Sequence, residues 1–185
     1  MRSYPNSIEN GAGERLTFLR RVPGETGERL IGEARVAPGA GPLMHVHHLQ
    51  DESFTVLSGR IGYQIAGDGE RFAEAGATVH FPAGQAHRFW NAGDRELHCE
   101  AYIAPPGNFE YFLGAIFASQ HANGGIRPSL FDAAFLTRRY RSEFEMLVIP
   151  KLVQQTVFPL VVAIGHLLGK YAKYADAPEP MQPPG

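Results

Sequence analysis

The chain has a single cysteine, Cys99, in 185 residues. An intrachain disulfide is therefore excluded, and a reducing compartment fits. Charge is sparse and nearly balanced: 19% of residues are Asp, Glu, Lys or Arg, and the formal net charge is −2. That leaves no electrostatic footprint for nucleic acid, so no nucleic-acid partner is expected. The opening stretch "MRSYPNSIENGAGERL" lacks an apolar run. No secretory signal is expected there, and a cytoplasmic location is the default. Between Arg15 and Ile103 no convincing helical period occurs. What is present is ordinary for a globular protein: hydrophobic residues make up 44% of the chain, enough for one real core, or a core with an extension.

The region from Arg15 to Ile103 reads as short apolar runs, among them "RLTFLRRV", "RLIGEARVA", "SFTVLSG", "ATVHFPAG" and "ELHCEAYIAP". Breaks such as "PGETG", "APGAGP", "AGDGE" and "NAGD" separate them. The 21 glycines and 14 prolines suit such turns. Strands recurring at this spacing predict an all-β sandwich or barrel. After "APPGN" the period changes. Phe109, Phe112, Leu113, Ile116 and Phe117 form a helical stripe, with Asn108 as N-cap and "NGG" as stop. A second helix is expected from Ser129 to about Leu147, and a third from near Pro150 to about Tyr174. The organisation expected is a barrel over 1–107, a helical extension over 108–174, and a Pro-rich tail over 175–185 without fixed structure.

"HVHHLQDE", residues 45–52, concentrates three histidines and two acids. In a strand, His45 and His47 share one face and His48 points the other way. "LQD" reads as a turn, and Glu52 opens the next strand. Two imidazoles and a carboxylate on one face form a metal-site pattern, whereas the alternative is a solvated edge strand.

The two stretches Gly39–Gly59 and Gly76–Asn91 resemble the paired signatures of the cupin superfamily, G-x5-H-x-H-x3,4-E-x6-G and G-x5-P-x-G-x2-H-x3-N. All ten fixed positions match, and 16 residues separate the motifs. The resemblance covers about residues 14–105, and the layout is similar to that of bacterial single-domain cupins. It implies a double-stranded β-helix, or jelly-roll barrel, followed by an α-helical extension. It also implies His45, His47, Glu52 and His87 as ligands of one divalent transition metal. Three imidazoles and a carboxylate suit Fe, Mn, Ni, Zn or Cu alike. Parity adds Phe54, Val56, Phe89 and Asn91 as a largely apolar pocket wall for a small organic ligand or substrate. His48 is expected at the surface or behind the ligands, and His80 as a satisfied histidine of the core or rim. Trp90 is expected outside the barrel, and Cys99 as a buried apolar residue rather than a nucleophile.

Similarity to quercetin-dioxygenase-like cupins implies a dioxygenase-like oxidoreductase, with no individual catalytic residue assignable. The alternatives are a module that binds a small molecule without turnover, or an interaction protein working through the C-terminal helices. A homodimer is expected, because an exposed sheet edge needs cover and the run Leu152–Gly169 has no Asp, Glu, Lys or Arg. That run is expected to pack on the barrel or a second subunit through Phe158, Val161, Ile164 and Leu168, with a kink at Pro159. Peripheral membrane contact is the alternative.

Overall fold

The computed structural model describes residues 3–24 and 27–183. Eleven strands are described: β1 Asn6–Glu9, β2 Glu14–Gly24, β3 Gly27–Val36, β4 His45–His47, β5 Asp51–Ser58, β6 Arg60–Ile65, β7 Arg71–Glu74, β8 Thr78–Phe81, β9 His87–Asn91, β10 Leu97–Ala104 and β11 Phe144–Met146. They form two antiparallel sheets, one ordered β1-β2-β3-β10-β5-β8 and the other β11-β4-β9-β6-β7. This is the expected jelly-roll arrangement. The turn expected at "PGETG" includes residues 25 and 26, which lie outside the described residues.

Alternation creates the barrel. In β3, Leu30, Ala34 and Val36 are buried, while Arg29, Ile31, Glu33 and Arg35 are only partly so. In β10, Leu97, Cys99 and Ile103 point inward and His98, Glu100 and Tyr102 outward, which decides a face that the sequence pattern leaves open. Phe54, Val56, Ile61, Val79, Phe81 and Phe89 join Cys99 in a continuous interior. Each fully buried side chain of this kind is worth about 1.5–3 kcal/mol. The motif glycines Gly39, Gly59, Gly76 and Gly84 all have positive φ, between 76° and 91°, where a Cβ is disfavoured. Trp90 lies outside the barrel, edge-on to Phe72 and under the Arg88 guanidinium.

The C-terminal region departs further from expectation. α1 (Phe109–Ala122) matches, but Asn108 makes no side-chain cap bond. α2 spans Leu130–Arg139, capped by the Ser129 side chain, which accepts from the Asp132 N–H. It does not reach Leu147. The chain turns after Tyr140, and Phe144–Met146 becomes β11, paired with His47–His45 of β4. Phe144 keeps its helical spacing from Leu136 and Tyr140 only by coincidence. Strand pairing on the exposed edge of β4 prevails over helix continuation.

The third helix is irregular. Helical backbone runs over residues 151–167, and a five-residue π segment, Val153–Val157, leads into α3, Phe158–Leu167. Pro159 lies just past the π segment, so the two irregularities fall together. Gly169, at φ 65°, ends the helix before a 3-10 turn at Ala172–Tyr174.

The segment 175–183 is held rather than loose, and residues 184 and 185 of the expected tail lie outside the described residues. Arg139 and Tyr140 donate to the Pro178 carbonyl, and Ser142 donates to that of Met181. The residues expected to bury the 152–169 run divide. Phe158 is buried and Val161 partly so, but Ile164 and Leu168 face outward. No helix among the described residues is long and apolar enough to cross a membrane.

Candidate metal centre

Two sheets contribute to one cluster. His45 and His47 stand on β4, and His87 on β9 directly opposite His45. Glu52 reaches across from β5 in the other sheet. One ligand atom from each of the four lies within 4.8 Å of all the others. His47, Glu52 and His87 are buried, and His45 is partly exposed. Phe81 stacks flat on His87, with centroids 3.9 Å apart and planes 4° apart. Phe109 and Phe144 pack around His47.

Hydrogen bonding fixes the imidazoles. His45 Nδ1 lies 2.7 Å from the Leu43 carbonyl oxygen, and His87 Nδ1 lies 2.8 Å from that of Gln85. A carbonyl oxygen only accepts, so both Nδ1 atoms carry protons and the neutral rings keep a lone pair on Nε2. Burial lowers the pKa of His45, and it lowers that of His47 to about 3 against the pull of Glu52. Burial raises the Glu52 carboxyl, but His47, the bond to His87 and His45 outweigh it and hold the pKa at about 2. Neutral imidazoles and an ionised carboxylate are the protonation states that metal binding requires.

The cluster fits a cation. His87 Nε2 and Glu52 Oε2 are 2.9 Å apart, and a cation bound there would take the place of a proton between them. His47 Nε2 is 3.9 Å from the same oxygen, and His47 Nδ1 is buried without a hydrogen-bond partner. Ligands held about 2.1 Å from one ion stand about 3–4 Å from each other. The spacings suit an ion among the four groups.

The expected pocket wall is mostly core. Phe54 packs against Phe81 and Phe89, and Val56 lies deeper in the barrel. Asn91 is not a wall residue. Its amide donates to the Val36 and Arg95 carbonyls and its oxygen accepts from the Gly93 N–H, so it clasps the turn after β9. His48 lies 3.4 Å from Glu145, away from the cluster. His80 meets the Tyr102 hydroxyl on the outer face. Burial pushes the Cys99 thiol up to about 12, which suits an inert core residue.

Phe81, Phe109 and Phe144 are absent from the sequence reading of the site. Phe81 precedes the motif proline directly and was within reach of a parity argument. Phe109 and Phe144 arrive from the C-terminal region, and only the pairing of β11 reveals them.

Residues 32–103 match the family model described as a cupin domain. Oxidoreductase iacF of Pestalotiopsis fici is 29% identical over 101 residues, covering 50% of this chain and 50% of that protein. Probable oxidoreductase virH of Hypocrea virens is 31% identical over 70 residues, covering 37% and 32%. The chain thus spans half or less of the length of these curated relatives. A solved structure of an uncharacterized conserved protein with a double-stranded β-helix domain from Klebsiella pneumoniae superposes with a TM-score of 0.43 at 20% identity. It covers 57% of this chain and 82% of that one. The residues that match the cupin-domain model, 32–103, lie within the two antiparallel sheets, from β3 to β10.

Proposed function

We propose that His45, His47, Glu52 and His87 hold one divalent transition metal, and that the protein is an oxidoreductase acting on a small organic molecule beside it. The observation that carries this reading is the convergence of four ligand atoms within 4.8 Å. Bound there, such an ion supplies Lewis-acid or redox chemistry. The chain's own residues supply the setting. The Leu43 and Gln85 carbonyls orient two rings. Phe81 holds His87 in plane, and Phe109 and Phe144 exclude water around His47. His45 is the least enclosed of the four, so a small molecule approaches from its side. The names of iacF and virH support oxidoreductase chemistry. A screen of enols and diketones for oxygen uptake tests it. Metal-dependent uptake that disappears in His87→Ala is expected, and metal-loaded protein inert to the whole panel favours binding without turnover.

A further inference from the structure

The exposed apolar side chains on α3 form a pattern. Val157, Leu160, Ile164, Leu167 and Leu168 are exposed, Leu167 by 88%. They fall at i, i+3, i+7, i+10 and i+11, which is one helical face. The opposite side is spent on the protein itself, where Phe158 and Gly165 are buried and the helix packs on α2. α3 is therefore apolar on both sides, and one side has no partner in the fold. Leu147, Val148 and Leu152 are exposed too. Leu147 and Val148 follow β11 directly, and Met146 of β11 pairs with His45. Exposed Leu43 supplies the carbonyl that holds His45. Leu43, Leu147 and Val148 thus place exposed apolar side chains beside the candidate metal centre, and Leu152 follows along the chain toward the helix. An exposed apolar helical face of this kind marks an interaction site.

Charge indicates the partner. Residues 151–175 contain Lys151, Lys170 and Lys173 and no Asp or Glu, in a chain whose net charge is negative. Lys173 is paired with Asp132 at 2.8 Å. Lys151 and Lys170 flank the stripe with no acidic partner among the described residues, Lys170 lying 5.9 Å from the Phe131 ring. A second copy meeting this face about a two-fold axis would set the lysines of one helix against those of the other, which opposes association. An anionic lipid surface accepts both features, taking up the apolar stripe at the acyl boundary and pairing the lysines with phosphates. No helix among the described residues is long and apolar enough to cross a membrane, so the helix would lie in the surface plane.

We propose that α3 and the 147–152 segment dock the protein on an anionic bilayer, with the rim of the metal centre turned toward it. The test is flotation of the full-length chain with vesicles of phosphatidylcholine alone and of phosphatidylcholine mixed with phosphatidylglycerol. Flotation with the mixed vesicles only is expected, weakened by salt. Leu160→Asn/Ile164→Asn/Leu167→Asn should abolish it, and Lys170→Gln should lower partitioning about fivefold. Circular dichroism melting establishes that the triple variant folds. If it does not, Leu167→Asn alone, at the most exposed position, should reduce flotation. Three results overturn the proposal: no flotation with either vesicle, equal flotation with both, or unchanged flotation of folded variants. A fourth is a vesicle-free sedimentation mass of two chains that the triple variant returns to one, which assigns the face to a second copy.

Discussion

Glu52 and Glu143 are both buried carboxylates, 6% and 0% exposed, in opposite surroundings. Glu143 is met by donors. Its Oε1 accepts from Asn108 Nδ2 at 2.7 Å and the Met181 N–H at 2.9 Å. Its Oε2 accepts from the Asn108 N–H at 3.0 Å and Gln50 Nε2 at 3.2 Å. Four N–H groups fill its lone pairs, and the knot ties β5's approach, α1, β11 and the tail together. Glu52 is met by imidazoles, His87 Nε2 at 2.9 Å and His47 Nε2 at 3.9 Å. One carboxylate is saturated by backbone and amide donors, and the other faces groups that can themselves ligate a cation. The number and kind of donors, not burial, separates a structural knot from a site.

The same substitution at each carboxylate sharpens this contrast. Glu52→Gln should remove the stabilisation by added metal. That increment is about 4 kcal/mol for metal at a thousand times its Kd, read by denaturant unfolding with and without the ion. Glu143→Gln turns one acceptor into an NH2 facing N–H donors. It should cost about 3 kcal/mol and leave metal stoichiometry unchanged in the same assay. Loss of metal at Glu143→Gln with no loss of stability would break the comparison. Asn108→Ala removes one amide that donates to both Glu143 and the Glu179 carbonyl. It should cost about 1.5 kcal/mol and increase protease cleavage in the 175–183 segment.

Glu14 supplies an intermediate case. Asn10 is its only side-chain donor among the described residues, at 2.7 Å. Burial raises its pKa from 4.5 to about 7, against that one bond. A carboxyl whose folded pKa is raised contributes stability fully below its unfolded pKa and loses it as pH rises through the folded value. Wild type should therefore lose stability relative to Glu14→Gln between pH 4.5 and about 7. Urea midpoints across that window measure it, and a difference that does not vary with pH refutes it.

The strand region was legible because its signals are local. Spacing set the turns, strand parity put His45 and His47 on one face, and the likeness to the paired cupin signatures supplied Glu52 and His87. The 108–183 region was not, because its outcome depends on tertiary partners. Three residues, Phe144–Met146, carry too little pattern to mark a strand, and it is the β4 edge that makes them one. Glu143 and Gln50 look like solvated polar residues until the fold buries them together. The apolar run of α3 predicted burial, yet one face of it is left outward, since sequence records hydrophobicity but not which side meets a partner. Asn91 shares His87's parity, but parity alone cannot tell a wall from a turn clasp.

Metal content tests the central claim most directly. Protein purified without a histidine tag, analysed by elemental mass spectrometry, should carry one divalent transition metal per chain, and His45→Ala/His87→Ala should carry none while still melting cooperatively. Full occupancy in that double variant, or wild-type protein that takes up no Fe, Mn, Ni, Zn or Cu on titration, would contradict the account.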